Sequence, residues 1–176
     1  MGADSPATAI PARLGSVKRL FVVPLLGLLA ACTALPFSTS IKDYDTKVAL
    51  VGTSTVVLQR AQLDQRPGVA LKSIEIVGNV TYQQQDVTLE FYAADQPPCG
   101  TAFSGVYTCP ANSPNLESIG QVNFSSGATQ PFTWQGSELT SGVNKGELYL
   151  GVRLKSGQLA GGTLQFRNMV AKVAVF

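Results

Sequence analysis

The chain has 176 residues, 45% of them apolar, with 17 glycines and a formal net charge of +2; that length supports one domain with its own core and little more. Of 13 basic and 11 acidic residues, only Arg13, Lys18, Arg19 and Asp4 precede position 32, and the ten of each sign that remain cancel. No basic surface is indicated, which argues against nucleic acid as a partner.

The first element is LFVVPLLGLLAA at 20–31, an apolar run of 12 directly after Lys18 and Arg19. About 20 apolar residues are needed to span a bilayer, so the run is too short for an ordinary transmembrane helix. A basic flank, a short apolar centre and the small residues Ala30 and Ala31 predict a secretory signal peptide over 1–31. A buried helix that ends in a cysteine is the bland alternative. Leu29-Ala30-Ala31-Cys32 resembles the lipobox of bacterial lipoproteins. The resemblance implies cleavage between Ala31 and Cys32 and a diacylglyceryl thioether on the Cys32 sulfur, the nucleophile of that reaction. It also allows acylation of the new amine, palmitate being the usual chain. At about 0.8 kcal/mol per buried methylene, two or three chains hold a soluble domain firmly at a membrane. Thr33 stands where enteric-type lipoproteins retained at the inner membrane carry Asp, so the resemblance leans toward the outer membrane. The lead MGADSPATAIPARLGS is long for such a signal, and a start at Val17 would give the usual form.

Residues 32–45, polar and interrupted by Pro36, read as a flexible tether, with the domain expected over 46–176. KVALVGTSTVVLQ opens the strands. SIEIVGNVTY places Ile74, Ile76, Val80 and Tyr82 on one side, with Gly78 marking a bulge. QQQ at 83–85 then reads as a hairpin connection. DVTLEFYA sets Val87, Leu89 and Phe91 inward against Thr88, Glu90 and Tyr92 on a wet face. Cys99 and Cys109 bracket GTAFSGVYT between flanks rich in Pro, Asn and Ser. In an exported protein they are expected to pair and staple a protruding loop; a redox-active pair is the rival, at a spacing unlike C-x-x-C.

SIGQVNFSS and PFTWQG follow, and ELYLGVRLK shows the clearest alternation. There Leu148, Leu150, Val152 and Leu154 oppose Glu147, Tyr149, Arg153 and Lys155. LAGGT reads as a turn, and GTLQFRN and MVAKVAVF close the list. About eight short strands with no helical period after residue 45 predict an all-β fold. An antiparallel β-sandwich, immunoglobulin-like or jelly-roll, is expected, with a small antiparallel barrel as runner-up. Counting back from Phe176 by twos gives Ala174, Lys172, Val170 and Asn168, a poor lipid-facing row, so a membrane barrel is set aside.

Chemistry is sparse. Histidine is absent, so neither a Ser/His/Asp nor a Cys/His set can form. Asp43, Asp45, Asp64, Glu75, Asp86, Glu90 and Asp95 are scattered and read as solvating charges rather than as an acid–base pair. Asp43 and Asp45 alone supply too few oxygens for calcium. No catalytic residue, metal or cofactor is assigned. Binding is read from aromatics: Tyr92 and Tyr149 on wet faces, Phe103 and Tyr107 in the stapled loop. Trp134 reads as a core filler or a sugar platform. The loop's side chains either form an interaction surface or fold back onto the domain. The expectation is a non-catalytic envelope protein held at the membrane by an N-terminal lipid, a structural or adaptor subunit docking another envelope protein. A carbohydrate or small-ligand module using Tyr92, Tyr149 or Trp134 is the alternative.

Overall fold

A computed structural model describes residues 37–48, 52–63, 66–100, 102–158 and 161–175. The expected signal peptide, Ala31, Cys32, the start of the tether, part of the 159–163 turn and Phe176 lie outside the described residues. In chain order the elements are β1 Phe37–Ile41, β2 Tyr44–Val48, β3 Thr55–Arg60, β4 Ser73–Thr81, β5 Thr88–Ala94, β6 Val106–Pro110, β7 Glu117–Asn123, β8 Thr129–Gln135, α1 Ser137–Lys145, β9 Tyr149–Ser156 and β10 Gly162–Ala174.

Two antiparallel sheets of five strands each form a β-sandwich that does not close into a barrel. Sheet one runs β1-β10-β4-β8, with β2 also on β10, and sheet two runs β6-β3-β9-β5-β7. The alternation read from the sequence supplies the inner faces. Ile74, Val80, Tyr82, Val87, Leu89, Phe91, Leu148 and Leu154 are all buried there, with Ile76, Leu150 and Val152 partly so.

Several boundaries differ from the expectation. The described part of the supposed tether is paired: β1 lies against Met169–Val173 and β2 against Gly162–Phe166, so ordered structure starts by Phe37 rather than at 46. One edge of the 13-residue β10 seats both short strands end to end. The two closing strands expected from the sequence are therefore one. Its register against β4 shifts between Arg167 and Val170, where Asn168 takes φ 54°. The extra residue of the bulge is thus on β10, where Asn168 is of a type that tolerates the left-handed region, and Gly78 is the single β4 residue opposite Asn168 and Met169. Gly78 also serves packing, since a Cβ there would sit 3.0 Å from both Met169 Cγ and Phe132 Cε1. KVALVGTSTVVLQ divides between β2 in one sheet and β3 in the other. QQQ is an arch between sheets rather than a hairpin, because both edges of β4 are already occupied by β10 and β8.

The helix is absent from the sequence reading. Thr140, Gly142 and Val143 give α1 little intrinsic propensity, so its docking must hold it. Asn144 Oδ1 accepts the Leu71 N–H at 2.9 Å while Nδ2 donates to the Leu71 carbonyl at 2.9 Å. Thr140 Oγ1 accepts the Ile74 N–H at 3.2 Å, and Glu117 Oε2 accepts the Glu138 N–H at 2.6 Å. The missing side chain of Gly142 admits Leu148, whose Cδ1 would lie 2.7 Å from a Cβ. The helix thereby extends the sheet edge past Gln135, the last β8 residue paired with β4. Asn144→Ala should strand two backbone groups of the buried Leu71 and lower stability by about 1–3 kcal/mol, read as a reduced urea midpoint.

Candidate functional site

The expected wet face of sheet two is covered. Tyr92 and Tyr149 are each only 5% exposed, which corrects their assignment to a binding surface. They belong to a second apolar cluster with Val56, Leu58, Ala94 and Cys109, flanked by the partly buried Cys99, Tyr107, Ala111 and Leu116. Tyr107 belongs to β6, inside the stapled loop and at the edge of this sheet, whereas Cys99, at the loop's start, and Ala111 and Leu116, beyond its end, pack against the cluster from neighbouring segments. One cross-strand row shows the packing: Tyr92 opposes Gly151, Gly151 opposes Leu58, and Leu58 opposes Tyr107. Leu58 Cγ would be 2.4 Å from a Cβ on Gly151, so Leu58 fills the space that glycine leaves. Tyr107 meets Tyr149 edge-on at 5.4 Å. Trp134 sits in the main core among Phe91, Phe132 and Phe166, as a filler and not as a sugar platform. A signal for the second cluster did exist: Val56-Val57-Leu58 breaks the alternation, as strands covered on both faces do.

At the border of this cluster lies a charged network that the sequence placed in water. Glu90 and Arg153 are direct cross-strand partners, and Arg153 Nε donates to Glu90 Oε2 at 2.8 Å. The same oxygen accepts from Tyr92 Oη at 2.9 Å, and Oε1 accepts from Ser118 Oγ at 2.9 Å. Burial alone pushes the Glu90 carboxyl up, but the hydrogen bonds from Arg153, Tyr92 and Ser118 and the Arg153 charge together bring it below the usual glutamate range. The Tyr92 hydroxyl, desolvated and bound to that carboxylate, is pushed up to about 12 and stays a donor.

A carboxyl lowered by folding stabilises the fold fully above its unfolded pKa, and that contribution is lost as pH falls through the folded value. Glu90→Gln should therefore cost about 1–3 kcal/mol near neutral pH. Its melting temperature should also fall less than that of the parent below about pH 4.5. Identical pH dependence in the two proteins would exclude Glu90 as the titrating group.

Of the candidate aromatics only Phe103 is presented to solvent. Cys99 and Cys109 form the expected disulfide. Within the loop, Phe103 and Val106 exchange backbone hydrogen bonds of 2.9 and 3.0 Å across Ser104 and Gly105, both at positive φ (51° and 78°). That is a type I′ hairpin, in which glycine at the second central position carries no Cβ penalty. Phe103, at its tip, is 85% exposed.

The tip is near the sandwich end that carries α1. Val106 opposes Gln59, and the next β3 residue, Arg60, opposes Tyr149 at the start of β9, just after α1. At the same end an open cleft of about 900 Å³ separates α1 from the ends of β4 and β10. Lys72, Lys145, Lys172, Glu75, Ser141 and Asn144 are among its lining residues. Lys172 Nζ donates to Glu75 Oε1 at 2.7 Å, and Lys145 is paired with Asp95. The Lys145 and Ser141 hydrogen bonds hold the Asp95 carboxyl below its usual range, while burial and the Asp95 charge raise Glu138. Asp43 and Asp45 lie elsewhere: Asp43 accepts the Asn168 N–H, and Asp45 pairs with Arg167. No known protein family matches the chain, and no curated protein does.

Proposed function

We propose that the chain is a lipid-anchored protein of a bacterial envelope whose sandwich is a non-catalytic structural or adaptor module. The observation that carries this reading is the stapled hairpin. A disulfide and a tight I′ turn hold a short projection whose tip offers one large apolar side chain to the surroundings. An exposed aromatic costs solubility, and a covalently braced mount for it suits a contact element. The lipobox at Leu29–Cys32 supplies the anchor, and an exported location suits the disulfide. The rings a sugar site would need, on Tyr92, Tyr149 and Trp134, are buried, so no observation favours the carbohydrate reading.

The test has two parts. Intact-mass measurement of protein from native envelopes should find residue 32 at the N-terminus carrying acyl chains. Cross-linking in the same envelopes should return one stoichiometric protein partner. A bare Cys32 with residues 1–31 attached would remove the anchor, and cross-linking that yields only the monomer would remove the adaptor role.

A further inference from the structure

We propose that the α1 end of the sandwich lies against the bilayer, with Phe103 and Val69 in the headgroup layer and basic side chains meeting lipid phosphates. The proposal rests on the lipid-anchor part of the proposed function and makes the contact of the hairpin tip a lipid one, so a protein partner would dock on another face. Three independent features gather at that end.

The first is the start of the domain. Phe37, the first residue of β1, opposes Val173 on β10, and Val173 opposes Ile74 on β4; Val173 and Ile74 both border the cleft. Four residues separate Cys32 from Phe37, so an acylated Cys32 is tied within about 18 Å of this row even with the chain fully extended. Acyl chains held that close leave the domain little freedom to turn this end away.

The second is apolar exposure. Phe103 is 85% exposed and Val69, in the connection from β3 to β4, is 55% exposed. That connection reaches β4 at Ser73, whose partner is Ala174 at the end of β10, so Val69 and the start of β1 share one end. Apolar side chains on projecting loops enter the headgroup layer at little cost to the rest of the domain.

The third is the sorting of charge. Arg60, Arg66, Lys72, Lys145 and Lys172 are exposed at this end, whereas the carboxylates there, Glu75, Asp95, Glu117, Glu138 and Glu147, are buried or half-buried. Glu117 accepts the Glu138 N–H at the start of α1, Asp95 accepts from Ser141 and Lys145, and Glu147 accepts from Tyr149 Oη. The exposed carboxylates among the described residues, Asp43, Asp45 and Asp86, belong to other parts of the sandwich. Asp45 opposes Gln165, and Asp86 precedes β5 at the far end. Outward cations over inward carboxylates suit an anionic leaflet, since exposed Lys and Arg near the surface are attracted to its lipids.

Two full-length variants, Phe103→Trp and Gln85→Trp, test this. Gln85 is exposed on the arch between β4 and β5, at the end away from α1. Each protein is purified from envelopes and reconstituted in vesicles of phosphatidylethanolamine and phosphatidylglycerol brominated close to the headgroups. The parent protein supplies the Trp134 background. The expected result is quenching and a blue shift at position 103, with neither at position 85. Absence of quenching at 103 in protein whose mass shows an acylated Cys32 overturns the membrane-facing surface and leaves the anchor intact. Quenching at 103 in protein whose Cys32 is bare upholds the surface and removes the anchor. A blue shift at 103 in native envelopes but not in lipid vesicles overturns the proposal in favour of a protein contact.

Discussion

Phe166→Ala is expected to lower stability by about 3–5 kcal/mol, the largest loss anticipated for a single substitution here. Phe166 is 1% exposed and stands where the two sheets meet an aromatic cluster. Its ring stacks on Tyr44 at 4.7 Å and meets Phe91, Phe132 and Trp134 at 6.2, 5.6 and 5.3 Å. These neighbours come from β2, β5 and β8, so one ring couples an edge strand, the opposite sheet and the strand before α1. Alanine would lose the transfer free energy of the ring and leave a cavity that large, rotamer-limited aromatic neighbours close poorly. Domains of this kind have about 5–15 kcal/mol in total, so the variant should sit near its unfolding threshold at ambient temperature. Urea titration followed by Trp134 fluorescence measures the change directly, because that indole is itself part of the cluster. A loss below about 1 kcal/mol would mean that the cluster can repack around the deletion.

Removing the disulfide is the second large effect. Cys99→Ala with Cys109→Ala should cost about 3 kcal/mol, the chain-entropy value for so short a loop, on top of any loss in packing. Packing is at stake because Cys109 is fully buried and lies opposite Val56, inside the cluster that covers Tyr92 and Tyr149. The expected signature is regional. Without the bridge the covering segments loosen, tyrosine near-UV signals from Tyr107 and Tyr149 weaken, and amides of β3 and β6 exchange faster than those of β4 and β10. Uniform loss of protection in both sheets would show instead that the second cluster and the main core unfold as one unit. Unchanged tyrosine signals and unchanged stability would mean that the apolar contacts of Leu116, Ala111 and Tyr107 hold the cover in place unaided.

The inner rows of β4, β5 and β9 and the pairing of Cys99 with Cys109 could be read before any fold was known. Side-chain direction along a strand alternates by covalent geometry, so Leu89 and Phe91, or Leu148 and Leu154, declare a shared face locally. The two half-cystines are close in sequence, and the turn residues between them bring them together. Phe103 stands between the two classes: the sequence placed it in the stapled loop but left open whether it faces out or folds back, and the Ser104-Gly105 turn decides that it faces out.

Which face of a strand is wet is a different kind of fact. Tyr92 and Tyr149 point opposite the aliphatic rows, as their spacing requires, yet residues near Cys99 and Leu116 cover them. Alternation reports that two faces differ; it does not report what lies over each. The same holds for α1. Its own sequence favours helix weakly, and the hydrogen bonds that keep it, from Leu71, Ile74 and Glu117, come from strands and connections far along the chain. Gly78 did mark the place of a bulge, but the extra residue is on the partner strand at Asn168, and Phe132 and Met169 fill the space that Gly78 leaves empty.

By itself the sequence determined the class of fold, the inner faces and the staple, because each depends on bonds and spacings within a few residues. Only the tertiary structure decided that an expected tether is paired on β10 and that two tyrosines are buried. It likewise gathered Phe103, Val69 and the outward lysines at the end where β1 begins. Those outcomes depend on contacts between segments distant in sequence, whose free energies exist only once the two sheets have met.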